Sequence, residues 1–356
     1  MEMKPDMSAQ GRPSVAPEMT TAAPRHGTAL LRAIALQVFL FVLMLAVAEL
    51  FLRIADFREV RLIPEESRLP YQHDPELGWY PIPNKVTPQG VSLNSLGLRD
   101  IELAPSTGPT ILFIGDSFVY GLGVAAQDLF TERLRQELPG VRIVNAGVAA
   151  YGTDQEFLLL KRLWPRIEPS VVVLVVCVDN DHVDNSTNSR HGHTLKPYLA
   201  KLDGEWQFRG LPVPRPHGYY FYNHWFAQRS ALVRYAIVGY MYARHRAVTV
   251  PDPTDQLVGM MRDFVEARGA RFLVGLQHQD PALEPFLTSQ RIPYTRFDDA
   301  ELLPGDDHWT PQGHAIVAQR LMTLLAAEKR AQPRRREALI RTPERPAAAA
   351  QAAAAR

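Results

Sequence analysis

The chain has 356 residues, 46% of them apolar and 22% charged, with a net charge of +1 and a single cysteine, Cys177. That apolar fraction is enough to fill a substantial core, and the near-neutral balance, with no basic stripe interleaved with aromatics, gives no sign of a nucleic-acid partner. One cysteine rules out an internal disulfide, so packing alone must hold the fold; Cys177 lies in an apolar run and reads as a small hydrophobe without function.

Residues 1–27 are rich in Pro, Ala, Met and Ser without periodicity and read as a disordered tail. Residues 28–54 read as a transmembrane helix. The run from Ala33 to Leu52, AIALQVFLFVLMLAVAELFL, is bracketed by Arg32 and Arg53. At ~1.5 Å per residue it matches the ~30 Å hydrocarbon core of a bilayer. Gln37 and Glu49 are its only strongly polar residues, and Glu49 can reach Arg53 one turn later. A core helix would show a polar face, which is missing here. Ala46-Val47-Ala48 resembles a signal-peptide cleavage site, but the apolar run continues through Leu50, Phe51 and Leu52, which favours an uncleaved single-pass anchor. Either reading exports the rest of the chain to the periplasmic or extracellular side. Arginines and lysines flank the span on both sides, so charge alone does not set its orientation.

Residues 55–108 form a Pro-rich juxtamembrane segment with turn signals at Asp74-Pro75 and Pro83-Asn84. From 109 to 328 strands and helices alternate. Thr110–Ile114, Val141–Val144, Val171–Val178, Arg271–Val274 and Ile292–Arg296 are the expected strands. The helices are expected at Gln127–Leu138, Asp154–Trp164, Asp255–Arg268, Pro281–Ser289 and Pro311–Ala327, the last with Thr310 as N-cap. The β-branched run at Val171–Val178 marks a strand buried on both faces. The alternation predicts an α/β fold with a parallel sheet covered on both faces. Residues 185–250 break the alternation and read as an inserted lid. Residues 329–356 read as a disordered, Arg-, Pro- and Ala-rich tail.

Ligands of such sheets bind beyond the carboxyl ends of the strands. Gly115-Asp116-Ser117-Phe118 follows the first strand, Asn145-Ala146-Gly147 and then Gly152 the second, and Asp179-Asn180-Asp181 the third. Gly305-Asp306-Asp307-His308-Trp309 precedes the last helix. A serine hydroxyl becomes a nucleophile when a base takes its proton, and His308 supplies that base. A carboxylate two residues earlier, Asp306, can hold the ring, because i and i+2 share a face in extended chain; Asp307 is the other candidate. The Ser117 N–H and the Asn180 amide can hold an oxyanion, each donor worth ~3 kcal/mol. Taken singly, Gly115-Asp116-Ser117 is only a strand-to-helix turn, and Asn180 only a turn residue. His314 and Asp116 read as structural. Asp181-His182 with His191 and His193 fits no zinc spacing, so no metal is expected. Trp206, Trp225 and Tyr219–Tyr222 serve equally to stack on sugars or to pack beneath a lid.

Together these blocks resemble the SGNH/GDSL-like hydrolase superfamily over residues 90–327, which implies an α/β flavodoxin-like three-layer sandwich around the central parallel sheet. ILFIGDSFVYGLGV matches the block of the nucleophile, Ser117. VNAGVAAYGT matches the second block, VVCVDND the block with Asn180, and DDHWTPQGH the block with the base, His308. The bacterial branch with an N-terminal membrane helix carries a motif like Asn94-Ser95-Leu96-Gly97-Leu98-Arg99-Asp100. Relatives tend to have Gly-x-Gly-Thr in the second block; here Ala150 stands first, and either Ala150 or Gly152 would supply an oxyanion N–H. Ala150 suits that role without strain only if its φ is negative. Many members use Asp-x-x-His, but position 305 is Gly; Asp306 gives Asp-x-His, as in the branch that O-acetylates exopolysaccharides. The resemblance implies a membrane-anchored, extracytoplasmic serine ester hydrolase acting on O-acylated carbohydrate or lipid, with no metal or organic cofactor and no named protein partner. The alternatives are an O-acyltransferase of exopolysaccharide or cell-envelope modification, and a catalytically silent binding subunit.

Overall fold

The computed structural model describes residues 26–63, 70–87, 89–106, 108–190 and 194–341. The tail expected at 1–27 falls outside them except for its last two residues, which open the first helix; of 329–356, residues 342–356 fall outside as well. In chain order the elements are α1 (His26–Ala55), β1 (Tyr71–Asp74), β2 (Gly78–Pro81), β3 (Thr110–Gly115), α2 (Ser117–Tyr120) and α3 (Phe130–Glu137). Then come β4 (Arg142–Gly147), α4 (Thr153–Ile167), β5 (Val171–Val176) and α5 (Asp181–Asn185). The insert holds β6 (Ser189–Arg190), β7 (Thr194–Leu195), β8 (Tyr198–Leu202), β9 (Glu205–Arg209), α6 (His217–Asn223), α7 (Trp225–Arg229) and α8 (Ala231–Arg244). Last are α9 (Thr254–Glu266), β10 (Arg271–Leu276), α10 (Leu283–Ser289), β11 (Tyr294–Arg296) and α11 (Pro311–Arg341).

Five of the strands make one parallel sheet in the order β4-β3-β5-β10-β11. Counted along the chain this is 2-1-3-4-5, the flavodoxin-like order, with its switch point between β3 and β5. Successive side chains of a strand face opposite ways, and here both faces are covered. Leu112 and Ile114 of β3 join Val172 and Leu174 of β5 in a core with Leu160 of α4, Met261 of α9 and Leu287 of α10. Ile111 and Phe113 join Val173 and Val175 on the other face, with Phe130 and Leu134 of α3 and Val317 and Leu321 of α11. That two-sided burial is why these strands read as continuous apolar runs. Each such side chain contributes about 1.5–3 kcal/mol on burial.

Part of the juxtamembrane segment packs on the same core. β1 and β2 pair antiparallel, and Leu77, Tyr80 and Leu98 pack into the α4 side of the sheet. Arg162 of α4 pins this hairpin by a forked contact to Asp74 at 2.7 and 2.8 Å and a contact to Glu76 at 2.6 Å.

The insert divides between two supports. Leu199 of β8 is buried in the α4-side core, and Phe208 of β9 lies 6.1 Å from the Phe157 ring. Helices α6 to α8 instead gather Phe221, Ala227 and Val238 around Val60, just beyond α1. α1 itself is long and apolar enough to cross a membrane over Thr28–Ala55, and none of its apolar window is buried in the protein. α11 runs past Ala327 to Arg341.

Candidate active site

The carboxyl edges of β3 and β5 bring Ser117 and Asn180 to the switch point. β3 ends at Gly115, and the chain turns at once into α2 through Asp116, whose Oδ1 accepts the Phe118 N–H at 2.9 Å. Ser117 is the first residue of α2, where an N–H has no partner within the helix. Gly147 ends the neighbouring β4, and a Cβ there would stand 2.1 Å from the Tyr120 backbone nitrogen. Only glycine lets the second block lie this close against the Ser117 turn.

The segment Asn94–Asp100 braces the same turn. Asn94 Oδ1 accepts the N–H groups of Leu96 and Leu98 at 2.9 and 3.0 Å, closing a loop through Gly97 at φ +77°. The buried Arg99 guanidinium then donates to the carbonyls of Tyr120 at 3.1 Å, Val124 at 2.6 Å and Gly121. Asp100 accepts the Asn145 N–H at 2.8 Å and pairs with Arg135 at 2.5 Å. Asn145 is buried inside β4 and donates to the Val119 carbonyl at 2.8 Å.

The loop before α11 carries His308. His308 Nε2 lies 2.8 Å from Ser117 Oγ, and its Nδ1 meets Asp306 Oδ1, which also accepts the His308 N–H at 3.0 Å. Asp306, not Asp307, is therefore the carboxylate on the ring. Its own carboxyl is held below the usual range by that ring and by the His308 N–H. Gly305 sits at φ +75°, a left-handed position that favours glycine. Beneath His308, Phe118 lies 5.1 Å from its ring, and the buried Trp309 touches Phe118, Phe130 and Phe297. Thr310 caps α11 through the Gly313 N–H at 3.0 Å. His314 stacks on Phe130 and accepts its N–H at 3.3 Å; burial, with Arg99 and Arg133 nearby, lowers its pKa to about 3. It is a neutral structural ring.

The oxyanion candidates differ in what they are free to do. Ala150 has φ +67°, so alanine holds a left-handed position at a cost of roughly 1–2 kcal/mol. Among the described residues its N–H has no protein acceptor. Its turn starts beside Ser117, for the Val148 N–H donates to the Gly115 carbonyl at 3.1 Å. The Gly152 N–H is instead taken by Gln155 Oε1 at 3.3 Å, within the first turn of α4. Asn180 donates from Nδ2 to Asp116 Oδ2 at 3.4 Å, and the same carboxylate lies 3.3 Å from Ser117 Oγ. Asp116 is fully buried; burial raises its pKa, and the Phe118 N–H, Asn180 and His308 only partly offset this.

Below these groups lies a set of buried charges that sequence reasoning missed. Asp154 pairs with Lys196, both fully buried. Asp181 accepts the Cys177 N–H at 2.9 Å. Glu156 is fully buried with neither oxygen bonded to protein, and burial, then Asp181, Asp116 and Asp154, raises its pKa well above the carboxylate range. Nothing in the Asp-Gln-Glu stretch opening α4 marks it as buried, because the cover comes from the distant insert and β5 loop. The suggested His182 cluster resolves differently: His182 bridges Asp252 at 2.6 Å and Asp280 at 2.8 Å. His191 and His193 lie outside the described residues, and among those described no group of three or more His, Cys, Asp or Glu could hold a metal.

No protein-family model matches the chain, and no curated protein matches it. Several solved structures do. A carbohydrate acetylesterase from Sinorhizobium meliloti matches at 12% identity and TM-score 0.35, covering 62% of this chain and 99% of its own. A psychrotrophic esterase from Pseudoalteromonas matches at 11% identity and TM-score 0.34, over 62% and 98%. A member of the lipolytic G-D-S-L family from Veillonella parvula matches at 12% identity and TM-score 0.33, over 61% and 97%.

Proposed function

We propose that the protein is an SGNH/GDSL-like serine ester hydrolase, anchored in the membrane by α1, with its catalytic domain on the extracytoplasmic side. The observation that carries this reading is the relay Ser117 Oγ, His308, Asp306, with 2.8 Å between Oγ and Nε2. Ser117 Oγ attacks the ester carbonyl while His308 Nε2 takes its proton. The tetrahedral oxyanion is held by the N–H groups of Ser117 and Ala150 and by the second Nδ2 hydrogen of Asn180. Gly152 drops out of this role because its N–H is engaged with Gln155. His308 then gives its proton to the leaving alcohol, and the acyl group stays on Ser117. Water, deprotonated by His308, releases the acid and restores the serine. Asp306 keeps Nδ1 protonated, so that Nε2 is the basic nitrogen. The substrate is an O-acylated carbohydrate or lipid outside the cytoplasm.

The test is p-nitrophenyl acetate turnover by the full chain in detergent. Ser117→Ala is expected to reduce it to background, and unchanged turnover removes the mechanism. A second reading is favoured by the short Asp306-Asp307-His308 spacing behind a left-handed Gly305. Here a sugar hydroxyl, rather than water, resolves the acyl-enzyme. Supplied with an acyl donor and a glycan, a transferase yields more acylated sugar than free acid, and a hydrolase yields the reverse.

A further inference from the structure

The last turns of α1 meet the insert in a specific contact. Glu49, in the apolar run, accepts from Ser230 Oγ at 2.8 Å and from the N–H groups of Ala231 and Leu232 at 2.9 and 2.8 Å, capping α8. Arg53 Nε donates to Glu49 Oε1 at 2.6 Å, and its Nη2 donates to the Arg229 carbonyl at 2.5 Å. A carboxylate at the end of an apolar span is costly unless paired. Here it is paired fully, and the pairing fixes the height of α7 and α8 along α1. Leu52 is buried against the protein, while Leu50, Phe51 and Ile54, at the same height, are 58%, 60% and 75% exposed.

α7 ends at Arg229, directly beside this contact. Its Trp225 and Phe226 are 58% and 68% exposed and touch each other edge to face, with ring centroids 4.7 Å apart. The Arg229 guanidinium lies over the Trp225 ring at 4.4 Å. Large aromatics that remain exposed need a reason. Tryptophan and arginine at the end of an apolar helix are the composition of a membrane–water interface. Arg229 ends α7 at the Arg53 contact and Trp225 lies one turn before it, so the pair stands near the end of the exposed apolar surface of α1, which favours lipid over a protein partner.

We propose that the exposed face of α7, carrying Trp225 and Phe226, is a lipid-contacting wedge that seats the insert in the headgroup layer of the bilayer spanned by α1, with Arg229 toward the lipid phosphates. This rests on reading α1 as a membrane anchor. The consequence is a catalytic domain held in one orientation on the bilayer surface instead of swinging on a tether.

The test uses the full chain reconstituted into phosphatidylcholine–phosphatidylglycerol vesicles. An environment-sensitive fluorophore is placed on Val42→Cys, Phe226→Cys or the exposed hairpin position Glu205→Cys; the wild-type chain, whose Cys177 is buried, gives the background. Nitroxide lipids are expected to quench the Phe226 probe at least about twofold more than the Glu205 probe, with shallow labels more effective than deep ones, and the reverse depth order at Val42. A Phe226 probe that behaves like the Glu205 probe, while Val42 is quenched, overturns the wedge and leaves the anchor standing. Loss of quenching at Val42 as well removes the anchor reading and the wedge with it. Brominated lipids give a readout with the aromatic pair intact: they should quench wild-type tryptophan emission more than that of Trp225→Tyr, and equal quenching overturns the wedge.

Discussion

Ser117 stands where buried supports converge, whereas His308 rides a loop open to water. On the Ser117 side, Asp116 caps α2 from a fully buried position, Arg99 ties down the carbonyls beyond α2, and Gly147 lets β4 close against it. On the His308 side, Asp306 is 47% exposed and joins His308 across a turn of three residues, with Phe118 beneath the ring and Trp309 packed against Phe118. The position of Ser117 is therefore part of the folding free energy, and that of His308 is only loosely so. Damage on the first side should appear as lost stability, and on the second as lost chemistry with the fold intact.

The largest effect should come from His308, the proposed base. His308→Ala is expected to lower kcat by about 10⁴-fold or more, with an unchanged urea midpoint. A parallel loss of stability would break the contrast. Asp306→Asn should cost about 10²-fold in kcat, less than the ~10⁴ that a buried orienting carboxylate is worth, because water competes at an exposed pair. On the other side, Arg99→Ala leaves three carbonyls without their donor and should destabilise the protein by about 3 kcal/mol in urea unfolding. Ala150→Gly should sharpen the picture of the oxyanion turn. It removes the left-handed strain, gaining up to about 1 kcal/mol of stability, and keeps the N–H, so kcat should stay within about twofold.

A smaller effect lies at the back of the site. Asp252, then Asp280, hold the His182 imidazolium against the cost of burial and raise its pKa to about 9. The folded-state value lies above the unfolded one of about 6.5. The stabilisation is thus complete below about pH 6.5 and disappears as pH rises through 9. His182→Gln should lower the thermal midpoint at pH 6 and change it little at pH 10.

Much of the central fold can be read from residues alone, for local reasons. Val171–Val176 is a β-branched run that only a two-sided sheet can bury, and Thr310-Pro311 announces the start of α11. The Ser117, Asn180 and His308 segments stand out because each follows a strand or precedes a helix at one sheet edge. What stayed hidden depends on distant partners. The hairpin β1–β2 lacks a run of its own and is held by Arg162, 88 residues after Asp74 in one contact. The insert reads as a lid from its aromatics, yet its helices settle against Val60 and α1, a contact no local pattern encodes. The sequence poses the question of φ at Ala150, but only the backbone answers it, and the hydrogen bond from the Gly152 N–H to Gln155 is visible only in three dimensions.

The claim that matters most is that His308 activates Ser117. Labelling by a fluorophosphonate probe measures this directly, on the wild type and on His308→Ala under the same conditions. The expected result is a single adduct on Ser117 in the wild type and a rate at least about 10³-fold lower in the variant. Equal rates in the two proteins, or an adduct on another serine, would contradict it.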